Sequence, residues 1–233
     1  MLFSRLIIVT AALVVTCTSA SAQLPAPENV VQLAATGTVE VQQDLLTLSL
    51  TTTREGTDAG AVQAQLKAAL DAALGEARAA VRPGQLEART GHFGLGPRYG
   101  RDGKVSGWHG SAELVLEGRD FPRITQTAAR IQTLTVGAVN FGLSREQRAA
   151  VEGQAQAQAI ERFKAKAAEL ARSFGFASYG LREVAVNSNE QGLPSRPRIM
   201  AMEARSAPAD APLPVEAGKS TVVVTVSGSV QLR

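Results

Sequence analysis

Between Asp44 and Thr53 apolar and polar positions alternate one for one. Leu46, Leu48 and Leu50 fall on one side of an extended chain, and Thr47, Ser49 and Thr51 on the other, the pattern of a half-buried β-strand. Val30 to Val41 is rich in β-branched residues and reads as a second strand. Gln42-Gln43-Asp44 between them reads as a tight connection, so the two runs are expected to form a hairpin. The period then changes. Val62, Leu66, Leu70, Leu74, Ala77 and Val81 recur at helical spacing behind Thr57 or Asp58 as a cap, and Arg82-Pro83-Gly84 stops the run. Leu86 to Tyr99 and Lys104 to Glu117 follow as strands around Gly100-Arg101-Asp102-Gly103, residues suited to a turn with positive φ. Asp120 caps a shorter helix through Ile124, Ala128 and Ile131.

The order then repeats. Ala138 to Leu143 is a short strand, and Ser144 caps a long helix ending at Gly175. The seam expected of that helix is Ile160, Phe163, Ala167, Leu170 and Phe174. Leu181 to Asn187 and Thr221 to Leu232 are the closing strands, the latter alternating through Val222, Val224 and Val226. The pattern predicts an α+β protein of tandem β-α-β-β modules with antiparallel strands and one long helix. Its expected parts are a leader at 1–22, a first module at 23–135 and a second at 136–233. Ser188 to Gly218 interrupts the second module with Pro194, Pro197, Pro208, Pro212 and Pro214 and no apolar period. A connection of that length is either mobile or functional.

The leader sets the expected compartment. Met1 to Arg5 carry one positive charge, and Leu6 to Val15 are apolar but short of the roughly 20 residues that span a bilayer. Ala20 and Ala22 supply small residues for a signal peptidase, so cleavage before Gln23 and a periplasmic product are expected. Cys17 offers a lipidation site as the alternative, although Thr16 before it is bulkier than such a site prefers. Cleavage removes Cys17, the single cysteine, and with it any disulfide or thiolate chemistry. It also removes Arg5 and no acid, so the formal net charge falls from +3 to +2, a near balance unlike that of a nucleic-acid binder. No later run reaches membrane-spanning length.

Candidate chemistry is sparse. His92 and His109 stand in facing strands, within a few positions across the expected hairpin, but a useful metal site wants three or four ligands. Glu87, Asp102 and Glu113 fall at no ligand interval. Gly94-Leu95-Gly96-Pro97-Arg98-Tyr99 approaches a dinucleotide loop and fails it, because Tyr99 takes the third glycine position and no helix follows. Ser227-Gly228-Ser229 lies in a terminal strand and lacks the elbow a serine nucleophile needs. No catalytic residue, cofactor or metal ligand is therefore expected. Phe93, Tyr99 and Trp108 cluster on one hairpin and read as core or subunit contact. Met200 and Met202, in the Pro-rich stretch, read as exposed, oxidation-prone thioethers.

Several segments together carry a family resemblance. Thr36-Gly37-Thr38-Val39-Glu40-Val41 with Asp44, His92 to Tyr99, Gly107-Trp108, Gly137-Ala138 with Phe141-Gly142-Leu143-Ser144, Lys164 to Ala167 with Leu170-Ala171 and Gly175, and Pro214 to Gly218 occur in one order. In that order they resemble the SIMPL-domain family of envelope proteins, which includes a periplasmic immunogenic protein and an oxidative-stress defence protein. Gln43 stands where the family pattern has Pro, His92 where it has Asn, and Gly96 where it has Ser. The resemblance implies a two-module α+β protein that assembles into homo-oligomers, and it implies no catalytic residues. The expected function is thus a non-catalytic, self-assembling structural or binding protein of the periplasm, with a protective role under envelope or oxidative stress. A small-ligand carrier, or a hydrolase or metal-dependent enzyme using the His92/His109 hairpin, are the alternatives.

Overall fold

The structure, a computed structural model, describes residues 28–189 and 214–233. The expected leader, with Cys17, Ala20 and Ala22, the expected first mature residue Gln23, and the pair Met200 and Met202 lie outside them.

Seven strands and three helices follow in chain order: β1 Val30–Gln42, β2 Leu45–Gly56, α1 Ala59–Ala80, β3 Glu87–Tyr99, β4 Val105–Gly118, α2 Phe121–Arg130, β5 Thr135–Gly142, α3 Arg145–Ser173, β6 Tyr179–Asn189 and β7 Lys219–Leu232. The protein is α+β, with two antiparallel sheets ordered β3-β4-β2-β5 and β1-β7-β6.

The four-stranded sheet owes its core to the alternation read from the sequence. Leu46, Leu48 and Leu50 of β2 and Leu114 and Leu116 of β4 are fully buried on one face. The i, i+4 stripe of α1, Val62, Leu66, Leu70 and Ala73, closes over them. The Asp58 carboxylate starts α1 by accepting from Ala61 N at 2.6 Å, and Gly84 takes positive φ just past its end. α2 begins at Asp120, which accepts from Arg123 N, and buries Ile124 and Ala128 in the same core.

The hairpin expected of the first two strands does not form. β1 pairs along its whole length with β7, from Val30 opposite Gln231 to Gln42 opposite Lys219. β2 pairs instead with β4 and β5. A two-residue hairpin needs positive φ at its centre, and among the described residues the only non-glycine residue with positive φ is Asn29. Gln43 and Asp44 therefore carry the chain across rather than back. Gln43 N donates to Gly218 O and Asp44 N to Gly142 O, each at the seam between the sheets. The strand–helix–strand–strand order does occur twice, as β2-α1-β3-β4 and β5-α3-β6-β7, but β5 joins the first sheet and β1 the second.

α3 spans about 43 Å for its 29 residues. Its buried row is Val151, Ala155, Ala159, Phe163, Ala167 and Ala171, so the expected seam is corrected. Phe163 and Ala167 belong to it, Ile160 and Leu170 flank it half-buried, and Phe174 is 62% exposed. Small side chains set this row because the helix lies almost on the backbone of β1 at Gly37. A Cβ built there would stand 2.8 Å from Ala159 N and closer still to the Ala155 carbonyl oxygen. The helix ends as the sequence predicts. Gly175 has φ 82°, its N–H donates to Arg172 O, and Phe176 N donates to Ala171 O, the Schellman pattern of bonds.

Candidate functional site

The β3–β4 hairpin holds most of the residues that the sequence singles out. Alternation sends Gly110 toward Leu66 in the core and His109 to the opposite, helix-free face. A register shift between Thr90 and Phe93 sets Gly91 and His92 together against Glu113. The His92 imidazole lies over Gly94, its Nε2 2.5 Å from the position of a Cβ there. His109 faces Gly96, with its Cε1 3.6 Å from that glycine's Cβ position. Both rings stand on one face because β3 offers them glycine rather than side chains.

Glu113 is the polar centre of this face. Ser49 Oγ donates to its Oε1, and His92 N donates to Oε2 at 3.0 Å. The Ser49 hydroxyl first, and the His92 amide second, hold the carboxyl below the usual carboxylate range, against a smaller opposing effect of burial. Glycine at 91 is required, since a Cβ would sit 2.8 Å from the Glu113 carboxyl carbon. Further along the face Arg98 and Glu55 form an exposed ion pair at 2.5 Å. Among the described residues no group of three or more His, Cys, Asp and Glu side chains is placed to hold a metal. A carboxylate held ionised by two donors is suited to fixing a strand pair rather than to releasing a proton.

The remaining sequence candidates fall into place around it. Gly94 and Gly96 lie within a strand, and Gly100 closes the turn to β4 by donating to Lys104 O at 2.8 Å, so the segment joins strand to strand. Ser227-Gly228-Ser229 crosses the middle of β7. Gly228 is needed where β6 bulges against it, since a Cβ there would lie 3.1 Å from Val184 Cα. Phe93 and Tyr99 are exposed, while Trp108 faces Pro97 and packs half-buried on the core.

Two features were not singled out from the sequence. Asp44 sits at the crossing between the sheets. Its carboxylate accepts from Ser144 N at 2.7 Å and Ser144 Oγ at 2.6 Å, and forms an ion pair with Arg119 Nε at 3.2 Å. Ser144 in turn accepts from Gln147 N, so one carboxylate joins the start of β2, the cap of α3 and the end of β4. The last part of the Pro-rich stretch shares this seam: Val215 packs on the core of the four-stranded sheet, and Gln42 Nε2 donates to Ala217 O. The S/T-x-x-Q spacing from Ser144 to Gln147 signals the cap, but its partner Asp44 is 100 residues away in sequence.

The second feature is the contrast between sheet edges. Two carbonyls of edge strand β1 are taken by α3, with Arg162 Nη1 donating to Thr36 O at 2.7 Å and Lys166 Nζ to Ala34 O at 3.3 Å. The other edge of that sheet, β6, has β7 as its only strand neighbour among the described residues. Leu181, Val184 and Val186 of β6 are 58%, 45% and 46% exposed. They face the same side as buried Val230 and Val226, yet α3 reaches β6 at Tyr179, whose hydroxyl donates to Lys164 O, and leaves these three side chains exposed. On the opposite side of the three-stranded sheet, a trough of about 490 Å³ runs between Gln32, Glu183 and Ser229. In comparison with known families, residues 31–230 match the family model described as "SIMPL: Protein of unknown function (DUF541)". No curated protein matches the chain.

Proposed function

This chain belongs to the SIMPL family, and from that premise we propose that it is an exported, self-assembling structural and binding protein of the periplasm, without a catalytic role and with a part in protection under oxidative stress. The observation that carries this reading is the uneven treatment of its sheet edges. A sheet edge is a template for another chain, and soluble proteins ordinarily blunt it. Here Arg162 and Lys166 blunt β1, whereas β6 keeps three large apolar side chains in the open. The leader read from residues 1–22 supports export. Static light scattering on the chain beginning at Gln23 is expected to give a mass of at least two copies, and a monomer at micromolar concentration overturns the reading. The protective part is tested by mild peroxide treatment and peptide mapping. Oxidation confined to Met200 and Met202 with an unchanged thermal melt is expected, and equal protection of cells by a variant with both changed to Leu would remove it.

A second reading, a small-ligand carrier, is favoured by the trough beside Glu183. The trough lies on one sheet rather than between the two, and its single carboxylate favours a cationic guest. Native mass spectrometry of freshly purified protein would reveal a co-purifying small molecule if this reading holds.

A further inference from the structure

We infer that β6 is a self-complementary edge, and that two copies of this chain join antiparallel along it to make one continuous six-stranded sheet, β1-β7-β6 of one copy running into β6-β7-β1 of the other. The inference rests on the self-assembly reading and names its surface.

The register follows from the bulge. Leu181 pairs with Val230 and Glu183 with Ser229, so Arg182 is an extra residue and the alternation shifts by one across it. Leu181, Val184 and Val186 consequently share the α3 side, although their numbers do not share parity. Directly opposite residues of an antiparallel pair point to the same face. A twofold pairing that keeps apolar against apolar therefore sets Leu181 opposite Val184 of the second copy and Val186 opposite Tyr179. Gly180 then meets Ala185 on the other face. At the centre of the same register Arg182 and Glu183 meet Glu183 and Arg182, so the charges complement each other twice about the axis. A closed, isologous contact of this kind needs one patch that fits itself, which β6 provides. A bulge blunts an edge toward a regular strand; here both strands carry the same bulge at the same level, and the irregularities face each other.

The other edges are less suited. Two carbonyls in the middle of β1, those of Ala34 and Thr36, are occupied by Lys166 and Arg162. β3 carries Pro97, a residue without an N–H to donate, and two register shifts. β5 has eight residues and a register shift against β2. Leu181, Val184 and Val186 are left exposed beside the α3 contact of Tyr179, and a second strip laid beside them doubles the apolar row.

The test uses the mature chain, which has no cysteine once the leader is removed. Leu181→Cys and Val184→Cys are made separately, mixed, and oxidised mildly. Opposite residues in such a register stand at about the Cβ separation a disulfide accepts, so a covalent dimer is expected in the mixture and in neither variant alone. Independently, Arg182→Glu and Glu183→Arg are each expected to weaken association roughly tenfold, by placing like charges face to face twice. The double exchange restores it. Both positions are exposed, and circular dichroism of each variant confirms that the fold is kept. If the unaltered protein assembles but no cross-link forms and the charge variants assemble normally, the β6 proposal is overturned while self-assembly stands. If the unaltered protein is a monomer, both fall.

Discussion

Replacing Gly37 by alanine adds one methyl group at the closest approach of α3 to its sheet. The added Cβ would stand 2.8 Å from Ala159 N and 2.9 Å from the Ala155 carbonyl carbon, and nearer still to the carbonyl oxygen. Ordinary contact between such atoms begins near 3.5 Å, so helix and strand must part by about 1 Å. The obstructing atoms are backbone, so no rotamer change relieves the clash. Parting loosens the whole row from Val151 to Ala171 against Leu33, Val224 and Val226, and a gap of that size forfeits up to half of each dispersion contact it crosses. Overpacking a tight core costs about 1–3 kcal/mol. The many contacts on this row put Gly37→Ala at the upper end, about 3 kcal/mol, after the small gain from a stiffer unfolded chain. Gly153 is the internal control. It lies in the same helix with nothing within 4 Å of an added Cβ, so Gly153→Ala should stabilise by about 0.5–1 kcal/mol through helix propensity. Urea unfolding at one fixed protein concentration measures both, because assembly adds a concentration-dependent contribution. A Gly37→Ala protein within 0.5 kcal/mol of the parent would refute the seating of α3 on β1 described above.

Asp44→Ala removes the partner shared by Ser144 and Arg119 and is expected to cost about 2–3 kcal/mol, with Ser144→Ala costing about 1 kcal/mol and the pair less than the sum in a double-mutant cycle. Glu113 has a depressed pKa in the folded state, so below its ordinary value of 4.5 the unfolded chain binds the proton more readily, and the stability it contributes is full above that pH and is lost as pH falls through the folded value. Ser49→Ala should therefore destabilise at neutral pH by a margin that narrows below about pH 4.5, and a margin independent of pH from 7 to 3 would contradict the assigned cause. Edman degradation of the exported protein should begin at Gln23, whereas a lipid-bearing Cys17 at the terminus would place the protein on a membrane.

Much of this architecture was legible in local patterns. The β2 alternation, the caps at Asp58, Asp120 and Ser144, the turn at Gly100 to Gly103 and the stop at Gly175 are short-range signals, and each element stands within a few residues of where those signals put it. Apart from the β3–β4 hairpin, pairing partners were not legible. β1 and β2 are both extended and adjacent, and only the absence of residues suited to positive φ between them argues against a hairpin. What sends β1 to β7 is a surface more than 100 residues away, an alanine row on α3 that accepts Gly37. The helix seam was misread for the same reason. Large residues draw the eye in a sequence, but the contact is made where side chains are small enough for two backbones to meet. On the β3–β4 face the glycines proved to be neither a phosphate loop nor idle: Gly91 makes room for the Glu113 carboxylate, and Gly94 for the His92 imidazole. The exposed strip on β6 was invisible because Leu181, Val184 and Val186 share a face only once the bulge at Arg182 is known.

The exchange of strands explains why the family match runs unbroken from residue 31 to residue 230. Each sheet takes strands from both halves of the chain, β5 closing the first and β1 opening the second. Neither half holds its own full set of partners, and the two crossings between the sheets are bound to each other and to the approach to β7 at Gln43, Asp44, Ser144 and Gly218. The ends of the matched region also meet, since Val31 pairs with Val230. β1 thus completes its sheet only when β7 is present. Contacts so distant in sequence form late in folding, because the loop they close must be paid for in entropy first. The matched unit is therefore physical as well as sequential: a ring of chain closed by its own two ends, with β6 left as an edge that this closure does not use.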